Sequence, residues 1–145
     1  MKIIITSDLH LGNISDSYIE ENGLERSINE TMRQLYSITQ YALENKIEDV
    51  FILGDIFEYN NPIARYYELI FSWIKDCDRN KLRITMIPGN HDTNNSSVSS
   101  LAPIEKANFK NVFIIDGDVE SISKNNIHNI FVPHMTKNQL NIKDI

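Results

Sequence analysis

Asp8 and His10 stand one residue apart in "SDLHLG", Asp55 follows a glycine in "LGDIFE", and Asn90, His91 and Asp92 follow another in "IPGNHD". Carboxylates, an amide oxygen and imidazoles are the donors that hold Mn, Fe or Zn in mixed oxygen and nitrogen coordination. Taken singly, each string is an ordinary polar turn. Their placement says more, because each closes a short apolar run: Lys2 to Thr6, Val50 to Leu53, and Ile84 to Ile87. In an open parallel sheet such carboxyl ends line one crevice. In Asp8-x-His10 both side chains leave the same side of an extended backbone, so a carboxylate and an imidazole can grip one ion. The glycines before Asp55 and Asn90 remove bulk where the backbone must approach an ion closely. A carboxylate such as Asp55 can bridge two ions roughly 3.5–4 Å apart, the spacing of two-metal phosphoester hydrolysis.

The elements that must position these residues are legible. Lys2 to Thr6, largely β-branched, suits a strand buried on both faces. Leu24, Ile28, Leu35, Ile38 and Ala42 recur at helical steps and predict an amphipathic helix from Leu24 to Ala42. Asn60-Asn61-Pro62 predicts the cap of a second helix, with Ile63, Tyr66, Ile70, Trp73 and Cys77 on one face. After the third strand come a polar loop (Thr93 to Ser100) and a short helix near Leu101 to Ala107. Three more strands are expected at Val112 to Ile115, Val119 to Ile122 and Ile127 to Val132, with Asp116-Gly117 turning the chain between the first two. Alternating strand and helix predicts an α/β fold with a largely parallel sheet flanked by helices. With no internal repeat and no linker, residues 1–145 read as one domain.

The 145 residues carry a net charge of −6 and are 41% hydrophobic. That charge argues against a broad basic surface for nucleic acid, yet bound cations can supply positive charge where a phosphate sits. No apolar run approaches the ~18 residues of a membrane span. A lone cysteine, Cys77, permits no internal disulfide and suits a reducing cytosol.

D-x-H, then G-D, then G-N-H-D resembles the signature of the calcineurin-like metallophosphoesterase superfamily. The fuller strings, with Leu11-Gly12 after His10 and Phe57 in "GDIF", resemble the SbcD-type DNA repair nucleases and their phage recombination endonuclease relatives. "NVFIID…IFVPHM" is similar to a segment of the phage members. The resemblance implies the metallo-dependent phosphatase fold, an α/β/β/α sandwich, here its N-terminal portion. It implies two divalent metal ions, Mn2+ first, with Mg2+, Fe2+ or Zn2+ as the other choices. Asp8 and His10 would hold one ion, Asp55 would bridge to the second, and Asn90 would hold that second ion. A hydroxide activated by the two metals would attack, and His91 would protonate the leaving oxygen or steady the transition state. Asp92 would orient His91 or cap the following loop.

The implied activity is that of a metal-dependent phosphodiesterase, the DNA exo/endonuclease subunit of a recombination or repair complex. Its partners would be DNA and an SMC-like ATPase, with a homodimer through helix faces, in a bacterial or phage-infected cytosol. A phosphatase or a nucleotide or RNA phosphodiesterase of the same superfamily is the first alternative. The second is a catalytically incomplete fragment acting only in dimerisation or partner binding. That alternative has a reason: only His128 and His134 follow His91, whereas the family carries further ligand histidines later, so the domain reads as truncated at its C-terminal end. His134, in "VPHM", is a candidate for the next ligand, with a surface or substrate-edge residue as the rival; His128 reads as structural. Glu58 stands where the family often has Asp. The aromatic residues Tyr66, Tyr67, Phe71 and Trp73 read as core or a dimer face rather than a base-stacking platform. Glu20, Glu21 and Asp16 read as a solvated loop, and Asn94 to Ser97 as a rim of the site.

Overall fold

The computed structural model describes residues 2–12, 18–93, 98–124 and 126–135. The apolar runs form four strands, β1 (Ile3–Thr6), β2 (Asp49–Leu53), β3 (Arg83–Ile87) and β4 (Val112–Ile114), joined into one parallel sheet in the order β1-β2-β3-β4. Ile3 pairs with Asp49, Asp49 with Arg83, and Ile84 with Val112, so all four strands point their carboxyl ends the same way. Helices α1 (Arg26–Glu44) and α2 (Ala64–Arg79) make the crossovers between the first three strands. Two short helices, α3 (Asn90–Thr93) and α4 (Ala102–Lys106), lie between β3 and β4, and an antiparallel hairpin, β5 (Glu120–Lys124) with β6 (Ile127–Phe131), completes the described elements.

Period-two alternation sorts the sheet into two faces. Val50, Ile52, Ile84 and Met86 bury against Ile28, Leu35, Ile70, Trp73, Ile74 and Ile104 of the helices. Phe51 and Ile115 face the other way and pack against Phe131 and Ile122 of the hairpin, with the Phe51 and Phe131 rings edge to face at 4.9 Å. Helix layer, parallel sheet and hairpin are thus three successive layers of the expected sandwich. The hairpin is tied down at the amino-terminal end of the sheet. Arg83 donates to both oxygens of Asp49 (2.7 and 2.8 Å), and Lys124 reaches Asp49 and Glu48 (3.0 and 2.8 Å). Burial pulls the Asp49 carboxyl upward, but these two cations outweigh it and leave the group below its ordinary value.

Three expectations need correcting. β1 is an edge strand, so Ile5 is 56% exposed rather than buried on both faces. α2 starts after Ile63, whose extended backbone caps it without a side-chain bond, so Asn60 and Asn61 do not cap it. Glu20 is more than a solvated loop residue: its carboxylate accepts from Asn29 Nδ2 at 2.7 Å and from Arg33 of α1. Asp16, like Asn94 to Ser97, lies outside the described residues. The α2 aromatics are packed inside the domain. Trp73 is fully buried and donates its indole N–H to Thr39 (2.8 Å), Tyr66 is buried, and Tyr67 stacks with Phe71, meets Phe57 at a tilt and donates to the Ser100 carbonyl (2.8 Å). This is the core placement expected of them. Among the described residues no helix is long and apolar enough to cross a membrane.

Candidate metal centre

Beyond the strand ends, β1 and β2 stay paired through irregular backbone. Asp8 N–H donates to Gly54 O (3.2 Å), His10 N–H to Asp55 O (2.9 Å) and Leu11 N–H to Ile56 O (2.9 Å), and Glu58 N–H returns to Leu11 O (3.3 Å). Leu11, Ile56 and Phe57 anchor this second pairing, each at most 1% exposed. Between the anchors the chain does not stay extended: Asp8, His10 and Asp55 take φ of 56°, 44° and 50°. The left-handed region is sparsely used by residues other than glycine, and such residues collect where a fold holds a functional group in a set direction. Simple strand alternation therefore does not explain how Asp8 and His10 converge. The left-handed turns swing both side chains to one spot, with His10 Nε2 3.8 Å from Asp8 Oδ1.

The third strand end closes on the first two. Asp55 Oδ1 accepts the His91 backbone N–H at 3.0 Å. Gly89 is a tight fit: a Cβ there would lie 2.1 Å from Asp55 Oδ1 and 2.5 Å from Asp55 N. Only a hydrogen fits between the two loops. Asp92 is fully buried, and its carboxylate joins the loops from inside, accepting from Ile56 N–H (3.1 Å), Phe57 N–H (3.0 Å), Gly89 N–H (2.9 Å) and the Ser100 hydroxyl (3.0 Å). Burial pushes its carboxyl above the usual range, and these four donors hold it back. Asp92 does not orient the His91 ring. That ring is held by the Glu58 carbonyl, 2.8 Å from Nδ1. The same carbonyl is the main reason the imidazole lies above its ordinary pKa; slight burial opposes it, and the Asp55, Glu58 and Asp92 carboxylates add to it.

Two sets of donor atoms result, each within 4.8 Å of one another: Asp8, His10 and Asp55, and His10, Glu58 and His91. Two carboxylates and an imidazole suit a divalent ion of the Mn, Fe or Zn kind. The cradle a Cβ at Gly89 would fill fits the same use. Asn90 opens α3 and borders a cleft of about 250 Å3 with Glu58, Tyr59, Asn60 and His91. His134 arrives at this end of the sheet through its backbone, whose N–H donates to Pro88 O (3.2 Å), but its ring is exposed and belongs to neither donor set. His128 lies in the hairpin, its Nδ1 2.6 Å from Ser123 Oγ across the strands. Glu58 is the member that motif reading passed over as a mild variation. Its signal was present, though faint: a carboxylate three residues past Asp55 on the same loop. A larger cavity of about 590 Å3, between sheet and hairpin, is lined by Phe51, Thr85, Phe113 and Ile122 and lies away from these strand ends.

Comparison with known proteins places the chain in a family. Residues 1–144 match the calcineurin-like phosphoesterase family, and the chain belongs to it. The DNA double-strand break repair protein Mre11 of Nanoarchaeum equitans (strain Kin4-M) is 33% identical over 90 residues, a stretch that covers 62% of this chain and 23% of that protein.

Proposed function

We propose that this member of the calcineurin-like phosphoesterase family hydrolyses the phosphodiester bonds of DNA with two divalent ions, manganese first among them. The observation that carries the reading is the meeting of Asp8, His10 and Asp55 at two adjoining strand ends, all three on left-handed backbone. Asp8, His10, Asp55 and Asn90 are the residues that would hold the ions. When bound, such ions activate water and neutralise charge on the phosphate. The Asp55 carboxylate keeps its direction because the His91 N–H already occupies one side of Oδ1. With Nδ1 of His91 held by the Glu58 carbonyl, Nε2 is the nitrogen left to meet the substrate, where it donates a proton to the departing oxygen. DNA as substrate, and an SMC-like ATPase as partner in a bacterial or phage-infected cytosol, rest on the strings "SDLHLG" and "LGDIFE" and on the name of the archaeal relative.

End-labelled double-stranded DNA incubated with the protein and MnCl2 tests the proposal. The expected result is metal-dependent shortening that Asp55→Ala abolishes. Turnover of p-nitrophenyl phosphate with intact DNA would move the assignment to a phosphatase. Calorimetry showing no Mn2+ uptake would leave the sheet a scaffold for binding a partner.

A further inference from the structure

His10 belongs to both donor sets, yet a neutral imidazole has a single lone pair and a single N–H. Only one set can receive the lone pair, so the other must receive the proton. The two ring nitrogens are already divided. Nε2 faces Asp8 Oδ1 at 3.8 Å, while Nδ1 lies 2.9 Å from Glu58 Oε2. Nδ1 is buried and has no aligned hydrogen bond, which leaves the Glu58 carboxylate as the acceptor close enough for its proton after a small turn of either group.

We infer that Glu58 is a positioning residue for His10: its carboxylate accepts a hydrogen bond from Nδ1–H and so leaves the Nε2 lone pair for the ion held with Asp8 and Asp55. This rests on the metal reading of the site given above. A carboxylate behind a ligand histidine fixes its tautomer and makes the metal-bound nitrogen more basic. The surroundings of Glu58 are shaped for the task. Its backbone N–H donates to Leu11 O and its carbonyl holds His91 Nδ1, so the residue is fixed at both ends of its peptide unit. Its side chain lies directly over Gly12, where a Cβ would fall 2.5 Å from Glu58 Cβ. Gly12, two residues past His10, is therefore the space in which Glu58 reaches back to that histidine. The two histidine rings, edge to face at 4.8 Å, are thus governed by one residue, His10 through its side chain and His91 through its main chain.

His91 Nδ1 is engaged by the Glu58 carbonyl, which leaves the second donor set a poor independent site. A separate ion there would need Nδ1 of His10 deprotonated as well, and that would strip the proton from the only partner Glu58 has on that ring.

The test pairs two readouts on the whole chain: the His10 tautomer, from long-range proton–nitrogen NMR of the metal-free protein near pH 8, and Mn2+ affinity, from calorimetry. Wild type is expected to show the Nδ1–H form. Glu58→Ala is expected to lose that preference and to bind Mn2+ about 10- to 100-fold more weakly, the usual cost of removing such a partner. Glu58→Gln keeps the shape and an acceptor oxygen, so it should restore the tautomer and fall between the two in affinity. An Nε2–H form in wild type, or equal affinity and tautomer in Glu58→Ala, overturns the inference. So does loss of one whole ion in Glu58→Ala with the remaining ion unweakened, which would make Glu58 a direct ligand. Absence of Mn2+ binding in wild type with the Nδ1–H form intact would instead refute the metal reading and leave the Glu58–His10 pairing standing.

Discussion

Replacing Asp92 by asparagine probes the join between the second and third strand ends. The carboxylate accepts two N–H donors at Oδ2, from Ile56 and Gly89, and two donors at Oδ1, from Phe57 N–H and the Ser100 hydroxyl. An amide must point its NH2 at one of these pairs. Facing the first, it strands two backbone donors. Facing the second, it strands only Phe57 N–H, because the Ser100 hydroxyl can turn and accept. The introduced amide is expected to take the second orientation. A buried donor left without a partner costs about 1–3 kcal/mol. Removing a charge that burial disfavours offsets part of the loss of charge-assisted bonds. Asp92→Asn should therefore lose about 1–3 kcal/mol at pH 7, lowering the urea midpoint by roughly 1 M at unchanged slope. Asp92→Ala strands three backbone donors at once and should lose about 3 kcal/mol or more, a large share of the ~5–15 kcal/mol of a typical domain. Urea unfolding followed by circular dichroism reads both. A midpoint for Asp92→Asn equal to that of wild type would refute the claim that this carboxylate welds the loops.

Gly89→Ala should displace Asp55, since the new Cβ meets Asp55 Oδ1 at 2.1 Å; expect about 1–3 kcal/mol of destabilisation by urea and weakened Mn2+ binding by calorimetry, and discard the packing argument if both match wild type. The Asp49 carboxyl is depressed in the folded state, so its stabilisation is present above the unfolded value near 3.8 and is lost as pH falls through the folded value. Arg83→Met should therefore lose stability at neutral pH and show a shallower decline below pH 4 than wild type, read from unfolding midpoints across pH. The Cys77 thiol is pushed up to about 11 by burial, so a thiol reagent at pH 8 should leave the folded protein unlabelled and react only when denaturant is added.

Much of the fold was written in patterns that depend on neighbouring residues alone. The apolar runs at β1, β2 and β3 and the helical spacing of Ile28, Leu35 and Ala42 each identify an element from its own stretch. The coincidence of Asp8, Asp55 and Asn90 with three strand ends likewise gives the site its place. What escaped reading depends on contacts across the chain. Ile5 is exposed because β1 is an edge, and edge position is a property of strand order, which no run of isoleucines contains. Asp92 next to His91 invited a local partnership, yet its carboxylate turns inward to Ile56 and Phe57. Glu58 reads in sequence as a variant of an Asp; its closeness to His10 depends on the space that Gly12, far away in the chain, leaves beside it. The left-handed backbone at Asp8, His10 and Asp55 was equally invisible, since none is a glycine.

Strand order that follows chain order has a kinetic meaning. Each strand of the sheet pairs with its successor across a single crossover, so the loops bearing Asp8, Asp55 and Asn90 become neighbours once two successive strand–helix–strand units close. Ile3 meets Asp49 and Asp49 meets Arg83 across long connections, so each closure costs more loop entropy than the β5–β6 hairpin, but both need only chain that precedes the hairpin. The end that carries Asp8, Asp55 and Asn90 also lies away from the hairpin's tether, which holds Asp49 at the opposite end of the strands. During synthesis from the amino terminus, the first two units can assemble the site while the hairpin is still being made.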